Sequence, residues 1–313
     1  MKKLFIFASL LWMAFASVAG VRVEIIDGID NPSLQRKMEQ QTEALLNAFD
    51  AAAKRNGDIN FTGISVSDIV AQSISSTWNQ IHFSPEDVTY VEPIMTLFNG
   101  KGRIRGYQIR NIGVTVVPID DKKVPWERQE LCIDFSTSGN IASVIFTMSN
   151  VQYANALREA QRLEDGHERM QILNWCERFA QYYMDKDIAS LQAIFAEDAL
   201  IISGKVIVGK EKSTVRYTSQ TVQEYLTKLA KIFKENRYVG VDFDQYEIKK
   251  HPHKSQVYIV TLRQRWTTNN YADLGTLTLV WDFSDEDFPR IQARVWSPLG
   301  VKPFNINTIP FYD

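Results

Sequence analysis

Residues 179–203, FAQYYMDKDIASLQAIFAEDALIIS, decide how this chain is read. Upstream, Ile172, Trp175, Cys176, Phe179 and Tyr183 recur at threes and fours, the spacing that puts apolar side chains on one face of a helix. Asp185-Lys186-Asp187 breaks that helix, and Ile188, Leu191, Ile194 and Phe195 predict a short second one. The period then changes. Residues 199–203 and 205–208 read as a strand pair. Thr218 or Ser219 is placed to cap a third helix whose stripe is Val222, Tyr225, Leu226, Leu229, Ile232 and Phe233. Three long strands and a return strand follow at 238–248, 256–266, 275–283 and 290–296. In the third of these, Leu277, Leu279, Trp281 and Phe283 share one face, and Thr276, Thr278, Val280 and Asp282 share the other. Helices followed by consecutive antiparallel strands predict an α+β unit.

The first half has the same order. Leu34, Met38, Leu45, Leu46, Phe49 and Ala53 predict a long helix that stops at Asn56-Gly57-Asp58. Ser65 or Ser67 can cap a shorter one carrying Ile69, Val70 and Ile74. Strand patterns occupy 88–98, 103–117, 127–135 and 140–148, with Asn99-Gly100 and Ser138-Gly139 as hairpin signals. The halves also share wording, since LCIDFS at 131–136 matches LVWDFS at 279–284 at the same place in the strand order. The expectation is one domain type written twice: 20–150, a helical connector at 151–167, a second domain at 168–298, and a tail at 299–313. The tail is apolar at Phe304, Ile306, Ile309, Phe311 and Tyr312 without a helical period, so it should pack back on its domain or add to a partner as an extended strand.

Residues 1–19 are read as a secretory signal. Lys2-Lys3 is a short basic start, residues 4–18 are apolar apart from Ser9 and Ser17, and Ser17-Val18-Ala19 supplies the small residues for cleavage after Ala19. Removing this segment moves the formal charge from −2 to −4. The apolar stretch is shorter than the ~20 residues a membrane span needs, so no transmembrane anchor is expected. Export permits a disulfide between Cys132 and Cys176, but one lies in a strand pattern and the other on a helix stripe, and buried free thiols are the expectation. With 35 Lys plus Arg against 37 Asp plus Glu and no basic cluster, there is no footprint for nucleic acid.

Residues 168–298 resemble the nuclear transport factor 2-like superfamily. The resemblance rests on the run 179–203 quoted above, on the Trp281-Asp282-Phe283 strand and on the Arg294-Val295-Trp296-Ser297-Pro298 ending, which are similar to secreted members from gut bacteria of the Bacteroides type. It implies two cone-shaped domains, each with helices packed on a curved antiparallel sheet, and a ligand seat at the open mouth of the cone. Ketosteroid isomerases of this superfamily use a helix Tyr as oxyanion donor and a strand-end Asp as base. Phe179 and Ser203 stand at those positions here, so that proton-abstraction mechanism has neither its donor nor its base.

No catalytic residue is therefore assigned, and no cofactor or metal is expected. His251-Pro252-His253 is the one histidine pair; flanked by lysines, it reads as a solvated turn, without the further ligands that a metal site needs. The aromatic residues are distinctive. Trp175, Phe179, Tyr183, Arg263, Trp266, Trp281, Arg294 and Trp296 make up the candidate pocket, with Tyr182 and Asp282 as further polar candidates. The expected function is an exported, non-catalytic binding or assembly module of the cell envelope. Its partner would be an envelope protein or a hydrophobic small molecule, and a homodimer through the sheet is a further expectation. The alternative is an enzyme with an atypical site in the second cone.

Overall fold

The computed structural model describes residues 20–99, 102–117, 128–147, 163–208 and 213–301. The signal segment, most of the connector and nearly all of the tail lie outside the described residues. Helix α1 (Pro32–Arg55) begins at Asn31, whose side chain accepts from the Ser33 and Leu34 amides, and ends where Asn56 turns left-handed, as the Asn-Gly-Asp break predicts. Helix α2 (Asp68–Trp78) is capped by Ser67. In the second half, α3 (Leu163–Met184) is followed by α4 (Ile188–Ile194), capped by Asp187, and α5 (Val222–Glu235). The cap of α5 is Thr221 in a capping box with Glu224; Thr218 and Ser219 belong to a strand.

The first sheet is ordered β2-β5-β6-β7 with β4 also on β5: β2 (His82–Pro85), β4 (Ile94–Phe98), β5 (Ile104–Val117), β6 (Arg128–Ser136) and β7 (Ile141–Thr147). The single strand expected at 88–98 is broken at Pro93, which has no amide to give the ladder. Its first part, β3 (Thr89–Glu92), leaves the sheet and pairs in parallel with a strand not expected, β1 (Arg22–Ile25). The other edge of β1 is held by α1. The Val21, Val23 and Ile25 amides donate to Asn47, Glu43 and Glu39 at 3.0, 3.0 and 2.9 Å. Four helical residues rise ~6 Å, close to the ~6.6 Å spanned by two strand residues, so the two ladders match.

The second sheet is ordered β10-β11-β12-β13-β8-β9. The strand pair read at 199–203 and 205–208 is one strand, β8 (Phe195–Val208), and its partner is β9 (Ser213–Gln220). Gly204 lies inside β8. A Cβ there would meet the Tyr217 ring at 2.9 Å and Pro298 at 3.0 Å, so the glycine makes room for side chains lying across the strand. The long strands β10 (Val239–Lys250), β11 (Val257–Thr268), β12 (Ala272–Asp282) and β13 (Arg290–Pro298) run as expected. The face alternation in β12 holds: Leu277, Leu279 and Trp281 are fully buried on the helix side.

Both halves are α+β units of one plan. In each, a long helix precedes a shorter one and then a meander. The last strand of each meander also takes a parallel neighbour on its free edge: β8 on β13, and a single Val66–Ile141 bridge on β7. The halves are not separate bodies joined by a rod, because one continuous apolar core runs through both.

Helix α3 is where they join. Its apolar face (Ile172, Leu173, Cys176, Phe179, Tyr183) is buried toward the second sheet, whereas Glu177, Arg178, Gln181 and Asp185 meet the first half. Arg110 on β5 donates two bonds to Glu177, at 2.6 and 2.9 Å, with both residues buried. Arg178 pairs with Asp134 on β6, which also accepts from Gln108 and Ser143 at 2.8 Å each. Burial opposes the Asp134 charge, but Arg178 and these donors outweigh it and hold the carboxyl below its ordinary range. Asp185 accepts from Ser73 and Thr77 on α2 and from Gln181. Cys132 and Cys176 are both buried and free, and burial pushes both thiols up.

A buried ion pair that loses one partner strands the other charge. Glu177→Ala is therefore expected to cost about 3–5 kcal/mol in urea unfolding, and the double replacement Arg110→Met/Glu177→Leu to recover much of it. The depressed Asp134 carboxyl contributes stability that is present above its unfolded value and is lost as pH falls through its folded value. Asp134→Asn should accordingly flatten the loss of stability below about pH 4 in an acid unfolding series.

Candidate functional site

The inner face of the second sheet is set by strand parity. Val260, Leu262, Gln264 and Trp266 on β11 stand opposite Leu279, Leu277, Gly275 and Asp273 on β12, and Leu277 and Leu279 stand opposite Trp296 and Arg294 on β13. One end of this face is packed solid. Phe179 lies within aromatic contact of Tyr183, Phe195, Phe243 and Trp281, with centroids 4.9–6.4 Å apart, and both Phe179 and Trp281 have no exposure. These two candidates are core.

The other end, beside the C-terminus of α3, is polar. The Tyr183 and Tyr225 hydroxyls are 2.6 Å apart, and the Arg294 charge lies near enough to act on Tyr183. The Arg294 guanidinium lies 5.0 Å over the Tyr225 ring. Trp266 meets Tyr183 edge-on at 5.6 Å. Trp296 lies across Gly275, where a Cβ would come within 2.6 Å of its ring, so only glycine lets the indole lie flat on the sheet. Asp273 stands at the rim opposite Trp266, and its Oδ2 accepts from the Tyr271 hydroxyl at 2.8 Å.

The electrostatics are those of a buried cation among neutral hydroxyls. Burial works against the charge on Arg294, but Tyr225, Tyr183 and Asp273 more than offset it and the pKa moves up. Burial raises Tyr183 well above the ordinary phenol value, so it is a hydrogen-bonding group and not a base. Burial also raises Asp273, against the opposing effects of Tyr271 and Arg294. Three buried atoms at this end have no hydrogen-bond partner among the described residues: Nε of Arg294, which is 6% exposed, Oε1 of Gln264, which is 2% exposed, and Oδ1 of Asp273. Such groups cost about 1–3 kcal/mol each when left bare.

Of the eight pocket candidates, the structure brings Tyr183, Trp266, Arg294 and Trp296 together. Arg263 is corrected. It is three residues from Trp266 on one strand, so it faces the opposite side, and there it pairs with Asp244 at 2.6 Å. Trp175 is half-buried under the Arg178 guanidinium at 5.8 Å, away from this end. Asp282 is tied to Ser284 and Gln292 at the far end of β12, and half-buried Tyr182 is not among the residues gathered here. Gln264, Asp273 and Tyr225 were missed. The parity that places Trp266 and Leu277 also places Gln264 and Asp273, whereas Tyr225 sat in a helical stripe that reads as core.

Ser203 stands opposite Trp296 and Thr218. His251 is a further correction. It is buried, and its Nδ1 accepts from the His253 and Lys254 amides at 3.1 Å, so it braces the turn from inside. Among the described residues, no group of three or more His, Cys, Asp or Glu side chains could hold a metal ion, and no helix is long and apolar enough to cross a membrane.

No protein-family model matches this chain, and no curated protein matches it. Solved structures similar to it include a protein of the nuclear transport factor 2-like family from Streptomyces avermitilis (14% identity, 43% of this chain and 98% of that one, TM-score 0.33). ActVI-ORFA from Streptomyces coelicolor is another (11% identity, 42% and 97%, TM-score 0.33). Bd1075 from Bdellovibrio bacteriovorus extends over more of the chain (14% identity, 67% and 83%, TM-score 0.35). Nuclear transport factor 2-like proteins are thus among its structural neighbours.

Removing the Tyr183 hydroxyl breaks its bond to Tyr225 and leaves the aromatic contacts of the ring intact. Tyr183→Phe should lower stability by about 1–2 kcal/mol in chemical denaturation, and an unchanged midpoint would show that the hydroxyl pair holds nothing.

Proposed function

We propose that the protein is an exported binding protein of the bacterial cell envelope, without a chemical step of its own, and that its second unit holds a small amphipathic anion. One observation carries this reading: Arg294 is buried on the inner face of the sheet and its Nε has no partner. A buried guanidinium favours a carboxylate or a similar planar anion, which it meets through paired N–H groups. The Trp266 and Trp296 rings beside it offer flat apolar surface for the rest of the molecule. Export is supported by the basic start and apolar stretch ahead of Ala19.

Asp273 favours a second reading. It is a carboxyl with a raised pKa and a free, buried oxygen at the rim of the same site, which suits a general base in an atypical isomerase or cyclase-like enzyme.

Calorimetric titration of the mature protein against aromatic and long-chain carboxylates, each beside its neutral amide, tests both. Binding of the acid but not the amide is expected, with Arg294→Met weakening it at least about tenfold. Equal binding of acid and amide, or an unaffected Arg294→Met variant, would sink the binding reading. Turnover of a bound ligand that Asp273→Asn abolishes without loss of affinity would establish the enzyme instead.

A further inference from the structure

His82 is the first residue of β2 and is 6% exposed. Its ring lies on the Trp78 indole, with centroids 4.3 Å apart and planes 17° apart. Trp78 is itself fixed, stacked on Phe49 and donating from Nε1 to the Gly57 carbonyl at 3.0 Å. The imidazole Nδ1 is buried and has no hydrogen-bond partner among the described residues. Two positions earlier in the chain, Gln80 joins the halves: its side chain accepts from the Val239 amide at 3.0 Å and donates to the Met184 carbonyl. In the second half, the Lys186 ammonium holds the Asn236 and Arg237 carbonyls at 2.8 and 2.7 Å, and the Arg237 charge acts on His82 from there.

We propose that His82 is an acid-sensitive latch on this junction: as a neutral ring it seats the α2–β2 corner, and when protonated it leaves its seat and loosens the Gln80 bridge. The charged groups that act on the ring are Arg237, between α5 and β10, and Asp58, in the turn after α1. Helix α2 brings Trp78 and β5 brings Val117, and neither titrates. Burial and then Arg237 oppose a charge on His82 and outweigh Asp58, so its pKa lies below the ordinary imidazole value. A proton on the buried ring would stand near a second cation, and Nδ1 would become a donor without an acceptor. Water offers the relief, and with only Ile81 between them His82 cannot move out without pulling on Gln80. Gln80 in turn grips the last residue of α3, next to Tyr183.

Because the folded-state value is depressed, the contribution of His82 to stability is complete above the unfolded value of ~6.5 and is lost as pH falls from there toward the folded value. The carboxyls of the junction do not imitate this. Asp134 is depressed and responds at lower pH, whereas Asp185, raised by burial, gains stability in acid.

The test uses proton NMR, urea unfolding and hydrogen exchange on the mature protein, beside His82→Phe and His82→Gln. The His82 resonance, assigned through bonds, is expected to titrate below ~6.5. Between pH 7 and pH 5 the unfolding constant of the wild type should rise at least about threefold more than that of His82→Phe. Amide exchange at 183–186 and 239–241, corrected for its intrinsic pH dependence, should speed up several-fold in the wild type alone. A His82 that titrates at ~6.5 or above, or a wild type and variants with one pH dependence, would overturn the proposal. So would a loss that His251→Gln removes and His82→Gln leaves. A fall in stability without faster exchange at 183–186 and 239–241 than elsewhere would make His82 a buried histidine and not a latch. If neither His82 variant folds, the wild-type titration and its exchange at the two pH values decide.

Discussion

The charged face of α3 cannot meet water, because the first sheet lies against it, and its apolar face cannot either, because the second sheet lies against that. The Arg110–Glu177 pair, the Asp134 cluster and the Asp185 contacts with α2 resolve the first half of this constraint. A guanidinium–carboxylate pair removed from solvent contributes less net stability than its contacts suggest, since desolvation takes back most of the Coulomb energy. It does make one arrangement of the halves far better than any other, because each displacement would leave a buried charge alone. Gln181 and Gln80 extend the same logic to the sheet edges, where they accept from the Phe146 and Val239 amides and close the ends of two ladders that would otherwise be open.

With α3 held in place, the second cone acquires two unlike ends. Around Phe179 and Trp281 it is filled with rings. One turn further along α3, Tyr183 brings a hydroxyl to the cation of Arg294, and the surroundings change from apolar to polar over a few ångströms. The site depends on the interface between the halves although none of its residues belongs to the first half. Gln80, just beyond the end of α2, bonds both the Met184 carbonyl and the Val239 amide, next to the turn of helix that carries Tyr183.

Much of this was legible from pattern. Apolar spacing located the helices, and the two-residue period located β5, β6, β7 and the four long strands of the second sheet. The same period misled where it was not followed through. Arg263 and Trp266 stand three apart on β11, and an odd separation on a strand sends them to opposite faces. Gly204 sits inside a single strand and is a gap left for Tyr217 and Pro298. β1 was overlooked because its alternation is only four residues long and its partners, β3 and the polar edge of α1, are distant in sequence.

The sequence by itself determined what local geometry controls: the order of helices and strands, the stop of α1 at Asn56-Gly57-Asp58, a serine cap on α2, the break at Asp185-Lys186-Asp187 and the faces of β12. Those depend on residues a few places apart, so spacing is enough to read them. Only the tertiary structure decided that α3 serves both halves, that Arg110 meets Glu177 across 67 positions, and that Tyr183, Tyr225, Asp273 and Arg294 converge at one end of the cone. Such contacts are set by how a bulged, curved sheet closes around a helix, and nothing in the neighbourhood of each residue records which distant side chain it will reach.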